Sequence, residues 1–403
     1  MAASRRATQL GRLLAVVGVA GLTAAFALRP SDAVSAASQD WSPFVLVTGL
    51  LLIGLVADGD GLFAAAGASL AALTRSGWLL FGGAVVLISA VTATLNLDTS
   101  VAFLTPVLVH TARNRGAGEP ALLYGCLLLS NAGSLLLPGS NLTNLIVLGQ
   151  LHLTGGQFAA RMWLPWIGAV AVTAAVVAVG ERHSLNRPGE DPEPAPRPVI
   201  GLGLLAVVAA TVLVVTIRDS ALAVLGIGVA VAGFRMLAGE SRPARNHGAP
   251  VVGTAAARSP GLQALELRRI CEVLGLPVLI GLFGLAVALG TLGRAWSGPA
   301  ALLSHLSGWA TAAFAAIAAA AVNNLPAASM LAARPVAHPF PLLIGLNLGP
   351  NLGVTGSLAW LLWLRSARDA GASPSLARAS TLGVIAVPVS LVVALTALTV
   401  TGG

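Results

Sequence analysis

Four short polar clusters stand in the middle of long apolar runs, and their residue types suit a hydrogen-bonding site for a small solute. The first is Asn96-Leu97-Asp98-Thr99-Ser100, with Pro106 beyond it. The second is Pro138-Gly139-Ser140-Asn141-Leu142-Thr143-Asn144, and the third is Asn323-Asn324-Leu325-Pro326. The fourth runs from Asn347 through Pro350, Asn351, Gly353 and Thr355 to Ser357. Asn, Ser and Thr offer donors and acceptors without charge. A helix broken in hydrocarbon leaves backbone groups unpaired, so a break persists only against protein or a water-filled cavity. Helix N-termini at such a break attract anions, and carbonyls attract cations. A lone Asn or Thr in a spanning helix usually serves packing. Four clusters, two in each half and each near Gly or Pro, point instead to a substrate site. The candidate substrate-binding residues are Asn96, Thr99, Ser100, Ser140, Asn141, Thr143, Asn144, Asn323, Asn324, Asn347, Asn351, Thr355 and Ser357.

Carboxylates within apolar segments are the candidates for ion coupling, because a charge inside the bilayer is costly enough to be functional by default. Asp98 lies in the first cluster. Asp58 and Asp60 interrupt another run as Ala57-Asp58-Gly59-Asp60-Gly61. The coupling ion would be a proton or sodium; no cofactor and no metal centre is expected. His110, His152 and His338 fall near the ends of apolar segments and His305 in a later one, and all four read as structural. Cys126 and Cys271 sit in apolar segments and suggest neither a disulfide framework nor a metal cluster.

The elements that must position these residues follow from composition. Of 403 residues, 56% are hydrophobic and 9% charged. Soluble domains carry about 25% charged residues, so this is an all-α polytopic membrane protein. Soluble enzymes and nucleic-acid binders are excluded. The net charge of +8 resides in arginines of short loops, where it reports membrane orientation. Spanning helices need roughly 20 apolar residues. The runs are 12–28, 43–73, 77–112, 120–153, 162–181, 199–217, 220–238, 271–292, 299–334, 340–364 and 377–400. The first 30 residues resemble a signal peptide in outline but read as an uncleaved first span.

Arg5, Arg6 and Arg12 place the N-terminus in the cytoplasm. The path then puts an Asp32/Asp40 loop outside, and every arginine inside except Arg29, Arg161, Arg218, Arg294 and Arg334. The C-terminus is expected outside. Segment 77–112 has basic flanks on both sides and reads as a hairpin that enters and leaves on one face. Segment 299–334 reads as a second hairpin entered from the opposite face. Residues 1–181 form one repeat of about four spans plus hairpin 77–112. A cytoplasmic linker covers 182–198, and residues 199–403 form a second repeat of about five spans plus hairpin 299–334. Two hairpins, each followed by a broken helix, are the layout of an inverted-repeat transporter.

The four clusters resemble the arsenite permease family of the ion transporter superfamily, which also holds divalent-anion/sodium symporters and some sodium/proton antiporters. The resembling stretches are Asn96 to Pro106, Ser130 to Leu145, Asn323 to Pro326 and Gly345 to Trp363. The last, GLNLGPNLGVTGSLAWLLW, is the most specific. The resemblance implies export of arsenite or antimonite across the plasma membrane, driven by the proton gradient or by a cytosolic ATPase subunit. It also leaves open the same superfamily's citrate/dicarboxylate transporters and sodium/proton antiporters. Partners to expect are the bilayer, a small inorganic solute and a second copy of the chain, with no nucleic acid. The chain departs from the family in lacking one early span, in Leu97 between Asn96 and Asp98, and in Asn351 where a basic residue is common. Neither hairpin tip carries the Ser-Asn-Thr of the divalent-anion branch, which points away from citrate or succinate. An intramembrane aspartyl protease is excluded, because its Gly-x-Gly-Asp motif is missing from 57–61.

Overall fold

The computed structural model describes residues 2–402 apart from 75, 117, 150, 152, 188, 190–199 and 239–275. The inter-repeat linker expected at 182–198 therefore lies mostly outside the described residues, as do His152 and Cys271. The described residues are helical throughout, with short turns. Among the described residues, five helices are long and apolar enough to cross a membrane: Pro30–Gly59, Gly77–Thr94, Gly155–Gly180, Leu276–Ala295 and Leu376–Val400.

The first half contains α1 (Ala2–Leu28), α2 (Pro30–Gly59) and α3 (Leu62–Leu73). A helical hairpin follows, α4 (Gly77–Thr94) and α5 (Leu97–Asn114). Next comes a broken helix: α6 (Glu119–Gly133), a 3-10 turn at Pro138–Ser140, and α7 (Leu142–Leu148). Then α8 (Gly155–Gly180) closes the half, with a one-turn α9 (Arg182–Leu185) after it. The second half has α10 (Leu202–Thr216), α11 (Ala221–Ala238), α12 (Leu276–Ala295) and α13 (Gly298–His305). Its hairpin is α14 (Gly308–Val322) and α15 (Asn324–Leu331). Its broken helix is α16 (Pro339–Leu348), a 3-10 turn at Gly349–Leu352, and α17 (Leu358–Asp369), and α18 (Leu376–Val400) ends the chain.

The two halves thus repeat one order of elements, and their packing is reciprocal. α1 packs on α12 of the other half, and α11 packs on α2. α2 meets α12, and α8 meets α18. A two-fold relation between halves produces this pattern. Halves that repeat one order and pack reciprocally are the arrangement of a repeat-built transporter.

Three boundaries differ from the sequence reading. The hairpin expected over 299–334 starts only at Gly308, because α13 ends at His305 and forms a separate short helix before it. The stretch with Asp32 and Asp40 is no external loop: it belongs to α2, which starts with Pro30 at its first position and Asp32 in its first turn. Proline's fixed φ and an early carboxylate both favour a helix start there, and Ala33, Ala36 and Ala37 continue the helix. Run 43–73 is likewise two helices. The chain turns at Asp60 and Gly61, where Gly61 has φ +83, a conformation that suits glycine.

Small residues set the closest helix contacts. A side chain at Gly18 would collide with the backbone of Gly281, and one at Gly284 with that of Gly18. Gly345 of α16 and Gly349, which opens the 3-10 turn after it, meet the Ala312 and Ala316 carbonyls of α14 in the same way. Without a hydrophobic drive between helices in lipid, such close backbone approach is what holds them together.

Candidate functional site

Each hairpin and each broken helix resumes as a new helix with Asn or Ser at its cap position. Asn96 precedes α5 and accepts from the Thr99 N–H at 2.6 Å. Asn141 precedes α7 and accepts from Thr143 N–H at 3.2 Å. Asn323 precedes α15 and accepts from Leu325 N–H at 3.2 Å. Ser357 precedes α17, with its hydroxyl making no cap bond. These caps meet the N–H groups that a helix start leaves unpaired. Asn323 adopts φ +83, the one non-glycine positive φ among the described residues.

A buried amide network joins the two broken helices. The Asn347 Oδ1 accepts from Asn141 Nδ2 and from Ser134 Oγ, each at 2.7 Å. Its Nδ2 donates to Asn144 Oδ1 at 2.7 Å and to the Leu343 carbonyl at 2.8 Å. Asn144 Nδ2 in turn donates to the free carbonyls of Ser134 and Leu137 in the first break, at 2.8 and 3.2 Å. Ser140 Oγ donates to the same two carbonyls. Asn131 Nδ2 donates to Asn351 Oδ1 at 2.8 Å, and Asn351 Nδ2 to the Leu128 carbonyl at 3.0 Å. The side chains therefore pair the backbone groups that the break exposes, and they lace one half to the other.

The hairpin tips dock on these breaks. Ser100 Oγ lies 3.2 Å from Ser130 Oγ of α6. The Asn324 N–H donates to the Gly356 carbonyl at 2.8 Å. Thr355 Oγ1 donates to the Ala320 carbonyl at 2.5 Å. The adjacent residues Ser130 and Asn131 of α6 thus contact the first tip, through Ser100, and the second break, through Asn351.

Several buried polar atoms there lack a hydrogen-bond partner: Asn96 Nδ2, Thr99 Oγ1, Asn131 Oδ1, Thr143 Oγ1 and Ser357 Oγ. Buried polar groups are nearly always satisfied, so these atoms are hydrogen-bonding capacity that the protein itself does not use. Asp98 sits in the first turn of α5, partly exposed. It makes no hydrogen bond or ion pair among the described residues.

The other two candidate carboxylates lie elsewhere. Asp60 pairs with Arg235 of α11 at 2.9 Å and accepts from the Gly203 N–H of α10 at 2.7 Å. It ties the end of α2 to two helices of the second half. Asp58 is one helical step away on the same end of α2. The Asp60 contacts lie apart from the amide network. Asn131 and Ser134 belong to it, although neither is among the candidates that the sequence offers, and Ser130 stands beside it on Ser100. The signal was there: Ser130-Asn131-Ala132-Gly133-Ser134 is the polar end of an otherwise apolar helix.

A cleft of about 810 Å³ lies between α2, α7 and the α10–α11 connection. Its walls include Gln39, Ser42, Pro138 of the first break, Arg218 and Arg294. It therefore runs from two arginines assigned to the outer side up to the broken helix.

Comparison with known proteins bears on this geometry. The family model described as citrate transporter matches residues 3–364. No curated protein matches the chain in sequence. A crystal structure of the Alcanivorax borkumensis YdaH transporter, described as revealing an unusual topology, is similar over 92% of this chain and 87% of its own. Sequence identity there is 16% and the TM-score 0.47.

Proposed function

The chain belongs to the citrate transporter family, and from that premise we propose that it is a cation-coupled importer of citrate or a closely related di- or tricarboxylate. The chain is thus a multi-pass membrane transporter. The family matched is not the arsenite permease family that the motifs resemble, and arsenite export gains no support from it. The missing Ser-Asn-Thr tips, which pointed away from citrate, lose their weight here, because the cap positions offer donors of their own.

One observation carries the anionic substrate. The helices after both tips and both breaks begin at linked positions, with the orphaned donors Asn96 Nδ2, Thr99 Oγ1, Thr143 Oγ1 and Ser357 Oγ beside those beginnings. The N-termini of α5, α15 and α17 each present about half a positive charge. Carboxylates are what such an array of N–H and O–H donors holds without an arginine clamp. A neutral trihydroxide gains nothing from the dipoles. Asp98, in the first turn of α5 and unpaired, is placed to load a coupling cation beside the substrate. The membrane orientation proposed is that of the arginines, with the N-terminus inside and the cleft at Arg218 and Arg294 outside.

The test is uptake of labelled citrate by proteoliposomes under an imposed pH gradient, an imposed sodium gradient or neither, with arsenite, sulfate and succinate as competitors. Gradient-driven citrate accumulation, insensitive to arsenite, is the result expected. Arsenite flux without citrate flux would refute it.

A further inference from the structure

The cleft leads to a carboxylate that the site above does not use. Asp40 lies on α2 and is 1% exposed, with Oδ2 lacking a hydrogen-bond partner. Its neighbours are Arg294 at the end of α12 and Ser329 of α15, whose hydroxyl faces the carboxyl group without a well-formed hydrogen bond to it. Arg294 makes no ion pair with Asp40 among the described residues. Its guanidinium instead donates to the Gly290 carbonyl at 3.0 Å and to the Gln39 side-chain oxygen. Other charges nearby are Asp32, which acts on Arg294, and Arg334, which donates to the Arg294 and Gly293 carbonyls. A buried carboxylate beside a guanidinium that it does not engage is expensive, and in a membrane helix such a group is functional by default.

Its surroundings connect it both to solvent and to the moving parts. Gln39 and Arg294 line the cleft, so protons reach the pair from the outer side. Gln39 Nε2 donates at 3.1 Å to the Ile146 carbonyl of α7 and at 3.1 Å to the Ala332 carbonyl that caps α15. Whatever Arg294 does to Gln39 is therefore passed to the arm of the second hairpin and to the first broken helix.

We propose that Asp40 is a second proton-loading site, with Arg294 as its fixed counter-charge, and that it is filled from the outer cleft during transport. When Asp40 is ionised, Arg294 turns to it and lets go of Gln39. When Asp40 takes a proton, Arg294 holds Gln39, and Gln39 holds α7 and α15. The inference rests on the carboxylate-import reading, which also supplies a need for it. Each negative charge moved against the membrane potential costs about 2.3 kcal/mol per 100 mV, so a multiply charged anion needs more than the single cation that Asp98 carries.

The experiment compares wild type with Asp40→Asn, Asp40→Glu and the neutral pair Asp40→Asn/Arg294→Gln in proteoliposomes. Gradient-driven accumulation, substrate counterflow and the pH-jump infrared difference spectrum are measured for each. The proposal expects Asp40→Asn to lose accumulation, keep counterflow and lose a carboxylic C=O band, Asp40→Glu to restore band and accumulation, and the neutral pair to stay uncoupled. Accumulation by Asp40→Asn, or its recovery in the neutral pair, overturns the proposal, since the carboxylate would then only balance Arg294. Failure of both neutral variants to stay folded and monodisperse overturns it too, by making the carboxylate structural. The infrared band needs no substrate, so absence of citrate flux in wild type sinks the substrate reading while the band still decides the Asp40 site.

Discussion

Replacing Asn347 by Ala would remove the centre of the network that joins the two broken helices. Four hydrogen bonds go with the side chain: two accepted, from Ser134 and Asn141, and two donated, to Asn144 and Leu343. At the average measured for hydrogen bonds within membrane bundles, about 0.6 kcal/mol each, their loss sets a floor near 2.5 kcal/mol. The site is fully buried, so the Asn141 amide and the Asn144 carbonyl oxygen are left with no substitute, whereas the Ser134 hydroxyl keeps its bond to the Asn131 carbonyl at 2.7 Å. Orphaned buried groups cost about 1–3 kcal/mol each, which places the expected loss above the floor. The assay is equilibrium unfolding in detergent micelles, run as a double-mutant cycle with Asn144→Ala. The two changes share one bond and one network, so they should couple by about 0.5 kcal/mol or more. A variant as stable as wild type, or two changes that simply add, would refute the claim that these amides hold the halves together.

Other expectations follow from single contacts. Gly383→Ala should unfold the protein or abolish transport, because a Cβ there would strike the Asn351 carbonyl in the second break; a folded, active variant by size-exclusion and uptake assay would contradict this. Gly345→Leu should separate α14 from α16 and lower stability by several kcal/mol, read by the same unfolding assay. Thr99→Val and Ser357→Ala leave their helices intact but remove donors at the proposed site. Each should raise the KM for citrate about tenfold, the worth of one hydrogen bond to a charged group, with little change in stability. Asp98→Asn should abolish accumulation yet leave downhill exchange, as the amide keeps the size of the carboxyl group. Full accumulation by that variant would remove Asp98 from the coupling.

The breaks and hairpins were legible because their signals are local: Asn, Gly and Pro inside an apolar run mark a chain that cannot continue as a plain helix. Asp40 was misplaced for the opposite reason. Two aspartates among Ser and Ala look like a loop by hydropathy, and what makes the segment a buried helix is its packing against α12, whose Arg294 lies far along the chain. Asn131 went unselected because its partner, Asn351, is 220 residues away. The choice between arsenite and citrate was beyond residue types altogether. Asn, Ser and Thr serve a neutral hydroxide or a carboxylate equally well, and the proposal of an anion rests on the family and on where the helices begin.

The dense contacts around the breaks also decide which parts of this molecule can shift as one body. α14 is seated on α16 and the turn after it through Gly345 and Gly349, α18 presses on the second break at Gly383, and the amides tie that break to the first. Sliding any one of these against another would tear buried polar bonds. The ties from this block to α2 are sparser, with the Gln39 side chain reaching to Ile146 and Ala332 prominent among them, whereas α12 packs closely on α15, its Gly293 against the Met330 backbone. A cargo held between the tips would therefore travel with its whole cradle past α2, as a lift car passes its rail, and Gln39 would act as the catch at one landing.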